Sequence, residues 1–199
     1  FISHEHSDHI AGLQQLLKRF DIPVYTKQGT WREIQNKLIV PKNQFIELTK
    51  GSLTLGNLIV EPFAVSHDAA DPIGINVFAG KDKATVVTDT GVISDSILRR
   101  MDDTTLLVLE ANYDPHMLRF GPYQPFLKQR VASDEGHLSN EMAAQALLMM
   151  NRPDFMQVIL AHRSENNNNA VLVTQTIGKM LVDGGVRIGP EMKLQHGQP

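Results

Sequence analysis

Three histidines and an aspartate fall within six residues in Ser3-His4-Glu5-His6-Ser7-Asp8-His9. Side-chain direction repeats every second residue on an extended segment, so His4 and His6 point the same way and can grip one cation. Asp8 and His9, just past the strand end, can reach a second cation beside it. Neutral imidazole suits zinc and similar ions, while carboxylate oxygen suits harder ones such as manganese. A chance H-x-H-x-D-H match in a chain of this composition is on the order of one in a thousand. The cluster points to a two-metal hydrolase.

Further candidate ligands stand at the ends of strand-like runs, where loops present functional side chains. His67 follows Phe63-Ala64-Val65, Asp89 follows Thr85-Val86-Val87-Thr88, and His162 follows Val158-Ile159-Leu160-Ala161. His116 and His196 fit no ligand spacing and read as surface residues. Met149-Met150 and the single Trp31 read as packing.

The elements that must position these groups are legible in outline. Ile10, Leu13, Leu16, Leu17 and Phe20 recur at helical spacing, which predicts a helix starting just after the cluster. Pro23-Val24-Tyr25 reads as a short strand and Thr30 to Leu38 as a helix. Strand-like runs follow at Phe45–Leu48, Ser52–Leu55 and Leu58–Val65, broken by Lys50-Gly51 and Gly56-Asn57 as turns. Residues 73–79 and 84–88 read as a hairpin closed by Gly80-Lys81-Asp82. Ser94 caps a helix to Met101, residues 105–109 form a buried strand, and Phe120-Gly121-Pro122-Tyr123 is loop before a short helix. Ser139 is placed to cap a helix to about Asn151, with Glu141 in its first turn. A strand at residues 157–161 precedes a last helix from about Asn168 to the Gly184-Gly185 stop. Strands first, then alternating strand and helix, predict a layered α/β arrangement, not a bundle.

At 199 residues the chain has the length of one domain, residues 1–199, with 42% hydrophobic and 21% charged residues. It contains no cysteine, which excludes disulfides, thiolate zinc sites and a cysteine nucleophile, and agrees with a reducing cytoplasm. No apolar run is long enough to span a bilayer. A net charge of -3 gives no global basic field, so a nucleic-acid partner must be gripped by a local cluster. The sequence opens on Phe1, inside what reads as a strand, and points to a front portion lying outside it.

The order His4, His6, Asp8, His9, His67, Asp89 and His162 resembles the metallo-β-lactamase superfamily. Residues 109–114 (Leu-Glu-Ala-Asn-Tyr-Asp), 136–140 (Gly-His-Leu-Ser-Asn) and 161–167 (Ala-His-Arg-Ser-Glu-Asn-Asn) resemble its YycJ/WalJ group of nucleases, which includes double-strand-specific 5′-to-3′ DNA exonucleases. The resemblance implies an αββα sandwich, expected here without its N-terminal strands and therefore with an apolar face and an edge left open. It implies His4, His6 and His67 on one metal, Asp8, His9 and His162 on the other, and Asp89 bridging them. The ions would be zinc or manganese, with iron compatible, and metal-bound hydroxide would be the nucleophile.

A phosphodiester also needs a proton for its leaving alkoxide. His137, charged and oriented by Glu110, is the candidate donor; Asp8 counts with them as catalytic as well as a ligand. Arg163, Arg119, Lys128 and Arg130 are candidates for holding phosphate oxygens. The implied partner is duplex DNA with a 5′ phosphate, and no membrane. Two other functions compete. One is a thioester or lactam hydrolase on the same dinuclear site, which would need an oxyanion site and would give His137 no leaving-group role. The other is a non-catalytic binding scaffold, expected if the missing strands prevent metal binding.

Overall fold

A computed structural model describes residues 1–49 and 51–197. The chain enters as an extended segment tied down by Ile2 N–H, which donates to the carbonyl of Tyr25 at 2.9 Å. Helix α1 (Ser7–Ile10) and helix α2 (Leu13–Arg19) follow, then strand β1 (Val24–Thr26), helix α3 (Gln28–Lys37) and strand β2 (Phe45–Glu47). β1 and β2 pair in parallel, apart from the main sheet.

That sheet takes its seven strands in chain order: β3 (Leu53–Leu55), β4 (Leu58–Ala64), β5 (Ile73–Ala79), β6 (Asp82–Val87), β7 (Leu106–Glu110), β8 (Met156–Ala161) and β9 (Met192–His196). From β3 to β6 the neighbours are antiparallel; from β6 to β9 they are parallel. Parallel neighbours need crossovers, and these carry helices α4 (Asp95–Met101), α5 (Pro115–Phe120), α6 (Pro125–Val131), α7 (Asn140–Met149) and α8 (Ala170–Asp183).

The register explains the core. Thr85, Leu107, Val158 and Leu194 are successive partners across β6 to β9, so their side chains share one face. That face packs on α4, α7 and α8 through Leu107, Leu109, Val158, Met101, Leu147 and Ile177. Each fully buried aliphatic side chain here contributes roughly 1.5–3 kcal/mol. The other face is apolar as well but only partly covered. Val86 is 39% exposed, and Ile75, Val77, Val108 and Ile159 are half-buried. A second, smaller core under α1–α3 joins Ile10, Leu13, Leu17, Val24, Trp31 and Ile34, with Trp31 stacked on Phe45.

Several expectations are corrected. The helical run from Ile10 to Phe20 is two helices, interrupted at Ala11-Gly12, where glycine propagates a helix poorly. The first begins at Ser7, so Asp8 and His9 lie in a helical turn and not beyond a strand. Helix α5, unanticipated, starts on a Pro at its first turn, with Asp114 accepting from Met117 N–H at 2.8 Å. Strand β9 was also unanticipated, because only Met192 and Leu194 give it alternation. It places His196 in the sheet, half-buried and 2.8 Å from the Thr174 hydroxyl. The Gly80 turn is tighter than expected, since Ala79 and Asp82 are already paired. In the Lys50-Gly51 turn, Lys50 lies outside the described residues. Among the described residues no helix is long and apolar enough to cross a membrane.

Candidate metal centre

All seven candidate ligands converge at the strand ends. Asp89 follows β6 and His162 follows β8, and both adopt left-handed backbone, with φ of 56° and 52°. Such φ values are uncommon outside glycine and mark a position over-determined by its surroundings. His67 follows β4 and is held by the loop before His137: its Nδ1 donates to the carbonyls of Glu135 and Gly136, both at 3.1 Å. The His6 Nε2 donates to the carbonyl of Asp68 at 3.2 Å.

Those backbone bonds fix which nitrogens remain. His6 Nδ1 and His67 Nε2 face each other at 3.2 Å, each as a lone pair because its ring's other nitrogen carries the proton. Two acceptors at that separation repel unless a cation lies between them. Two nitrogens on one tetrahedral zinc, each about 2.0–2.1 Å away, stand about 3.3 Å apart. His4 completes this group, with Nε2 buried and without a hydrogen-bond partner.

Asp8, His9 and His162 form a second group. Asp8 Oδ2 lies 3.5 Å from Nε2 of both His9 and His162. Asp89 stands between the groups: Oδ1 is 3.8 Å from His67 Nε2 and 3.4 Å from His162 Nδ1, while Oδ2 is 3.4 Å from His9 Nε2. Asp89 Oδ2 is buried and makes no hydrogen bond. A buried carboxylate oxygen and a buried imidazole nitrogen left unpaired beside each other would be costly in a closed core. As donors toward divalent cations they are accounted for, so this donor set fits metal ions.

Glu110 lies beneath the cluster, fully buried. Its Oε1 accepts from His162 Nδ1 at 2.6 Å and His137 Nδ1 at 2.8 Å; its Oε2 accepts from the backbone N–H of Thr90 and Leu138, each at 3.2 Å. Burial acts to raise the carboxyl, but hydrogen bonds from His137 and His162 hold it below the usual range. Burial likewise opposes the charged form of His162, yet Glu110, Asp89 and Asp8 outweigh it and raise this imidazole to about 9. Burial, helped by neighbouring His9, His67 and His6 and opposed by Asp89, pushes His4 down to about 3, so it is neutral and its lone pair free. Asp89 is held well below the ordinary carboxylate range by His9 and the surrounding histidines, against the effect of its burial.

The three motif segments are knitted together. Asn112 N–H donates to the Leu138 carbonyl, Ser164 N–H to the Asn112 carbonyl, and Asp114 N–H to the Asn167 carbonyl. Asn140 and Asn168 exchange side-chain bonds at 3.1 and 2.8 Å, and Asn168 also donates to the Ala111 carbonyl. These buried amides were not anticipated; the only signal was the polar Asn tract after an apolar strand. Glu5 was passed over as well. Its Oε1 accepts from Ala70 N–H at 2.8 Å and its carbonyl accepts from Lys37, which ties the His4–His6 segment to the loop carrying His67.

A cleft of about 640 Å³ opens over the cluster, lined by His6, Asp8, Asp89, His137, His162 and Arg163 among others. Arg130 also reaches it, paired with Asp68. Lys37 and Tyr123 line it too and had not been singled out. Arg119 and Lys128 are not brought to this cleft; they line a separate pocket between α5 and α6.

Residues 1–162 match the family model described as beta-lactamase superfamily domain. The exodeoxyribonuclease YycJ of Bacillus anthracis is 34% identical over 200 residues, spanning 100% of this chain and 76% of the relative. The exodeoxyribonuclease WalJ of Streptococcus pneumoniae serotype 2 strain D39 is 32% identical over 203 residues, spanning 100% and 75%. Among solved structures, the metallo-β-lactamase fold protein YhfI of Bacillus subtilis superimposes with a TM-score of 0.69 at 16% identity, covering 98% of this chain and 73% of that one. With its fold, its histidine and aspartate cluster and these relatives in agreement, the chain belongs to the metallo-β-lactamase superfamily and is a YycJ/WalJ-like metal-dependent hydrolase.

Proposed function

We propose that this hydrolase is a two-metal phosphodiesterase that degrades duplex DNA from a 5′ end in the cytoplasm. The observation that carries the reading is Asp89, set between His4–His6–His67 and Asp8–His9–His162 with its Oδ2 buried and unpaired. The exodeoxyribonuclease names of the relatives support DNA as the substrate. In this reading His4, His6 and His67 would hold one ion and Asp8, His9 and His162 the other, zinc or manganese with iron compatible, and Asp89 would be the donor available to both. Divalent ions there would activate water and withdraw charge from a phosphodiester.

The remaining chemistry belongs to the chain. His137 borders the cleft with Nδ1 committed to Glu110 at 2.8 Å, so its other nitrogen is the one available to substrate. From there it would hand a proton to the departing oxygen, while Glu110 keeps the ring oriented. Asp8, 61% exposed at the mouth, holds His9 and His162 toward the cleft. Arg163 and Arg130 line the cleft, Arg130 with Asp68 as its anchor, which supports their meeting phosphate oxygens in this reading. An acyl substrate would leave His137 without a leaving-group role, which disfavours the thioester or lactam reading.

The test uses 5′-phosphorylated, end-labelled duplex DNA with manganese or zinc. Stepwise release of nucleotides from the 5′ end, abolished in a folded His6→Ala variant, is expected. Intact DNA beside hydrolysed thioester or lactam would sink the proposal.

A further inference from the structure

Between Pro115 and Ala132 the chain carries Arg119, Lys128 and Arg130 and no acidic residue, although the whole protein has a net charge of -3. This segment is the hairpin of α5 and α6. Phe120 and Phe126 are 67% and 71% exposed, the most exposed phenylalanines among the described residues. Folding does not place two bare aromatic rings in water for stability, since each forgoes the gain of burial. Arg119 lies over the Phe120 ring, 5.3 Å from its centroid. Neither Arg119 nor Lys128 has a carboxylate partner among the described residues.

The hairpin is continuous with the metal cleft. Pro115 and Pro125 open its two helices. A Cβ at Gly121 would come within 2.5 Å of the Met117 carbonyl and 2.7 Å of Asn167 Oδ1, so the bend sits directly on the loop that follows His162. One side of α6 supplies Leu127, Arg130 and Val131 to the cleft, with Tyr123 before it. Its other side, with α5, borders an open surface groove of about 380 Å³ between Tyr113, Leu118, Arg119 and Lys128.

Exposed aromatic rings interleaved with cations that lack a carboxylate partner, Lys128 donating only to the Arg119 carbonyl at 2.8 Å, match what a nucleic-acid strand offers beside a phosphodiester-cleaving centre: base faces and phosphates in alternation. We infer that the α5–α6 hairpin is a strand platform, on which Phe120 and Phe126 stack against bases at the DNA end while Arg119 and Lys128 hold the backbone. The inference rests on the phosphodiesterase reading above. It assigns Arg119 and Lys128 to the flanking strand, away from the scissile phosphate.

The test compares two substrates in the metal-loaded full chain: bis(p-nitrophenyl) phosphate, which fits the cleft without reaching Phe120 or Phe126, and duplex DNA with a 5′ phosphate. In F120A/F126A, DNA degradation is expected to fall tenfold or more in kcat/KM, with small-diester hydrolysis within twofold of the parent. Arg119→Ala with Lys128→Ala should weaken DNA cleavage and flatten its salt dependence. Parental DNA rates in F120A/F126A would overturn the platform while leaving the phosphodiesterase standing. A parent inactive on both substrates would instead overturn the phosphodiesterase itself, and the platform with it.

Discussion

Glu110 Oε1 lies 2.6 Å from His162 Nδ1 and is the same oxygen that accepts from His137. One buried carboxylate therefore orients a candidate metal ligand and the candidate proton donor together. Carboxylate partners of this kind set the tautomer and basicity of a ligating imidazole. A change at Glu110 thus reaches metal affinity and proton transfer at once.

Replacing Glu110 by Gln keeps the shape and removes the charge. Metal retention should weaken about 10–100-fold, the usual cost of losing such an outer partner. Competition against a chelator measures it, and unchanged affinity would mean the charge does not tune His162.

His137→Ala should behave differently. Its rate on DNA is expected to drop by about 10²–10⁴ as general-acid assistance is lost, with metal content unchanged by elemental analysis. A nitrophenyl ester, whose leaving group needs no proton, should lose much less. Loss of metal in this variant would make His137 a ligand instead.

In the metal-free protein, His162 is raised to about 9 and the carboxyls of Glu110 and Asp89 are lowered. A raised histidine stabilises the fold fully below its ordinary value near 6.5, and that stability fades as pH climbs through about 9. Lowered carboxyls stabilise above their ordinary values near 4, and that contribution fades as pH falls below them. The lowered His4 and His67 cost stability as pH falls below about 6.5, so with His162 fading above that value thermal stability should peak near pH 6.5. Melting curves of chelator-treated protein from pH 4 to 10 check this; a maximum above pH 9 would contradict it. Metal uptake should release protons, because a ligating imidazole must be neutral.

Gly91 couples two loops. A Cβ there would sit 2.2 Å from the Ser133 carbonyl oxygen and 2.4 Å from the Asp134 carbonyl carbon. Gly91→Ala must push away the turn whose Glu135 and Gly136 carbonyls hold His67. Destabilisation of about 1–3 kcal/mol, typical of overpacking, is expected together with weaker metal binding. Gly12→Ala, with nothing within 4 Å of its Cβ, is the control and should change stability by under about 1 kcal/mol. Equal denaturation midpoints for the two variants would refute the coupling.

Much of this protein was written locally. The H-x-H-x-D-H cluster, the apolar runs ending in His67, Asp89 and His162, and the Ser94 and Ser139 caps each depend on neighbours in sequence. Period and capping chemistry expose such features directly. Helix α5 and strand β9 escaped because their local patterns are short and their stability comes from packing. The left-handed backbone at Asp89 and His162 has no local signature either, since nothing in their flanking residues demands a positive φ.

The sequence by itself determined which residue types could bind metal and in what order they arrive. Only the tertiary structure decided that Glu110 serves His162 and His137 together, that Arg130 engages Asp68, and that Arg119 and Lys128 line a groove apart from the cleft, with Arg119 over the exposed Phe120 ring. The reason is physical: donor chemistry belongs to each side chain, whereas the partner it meets depends on strand register and on loops closing across 27 to 62 residues.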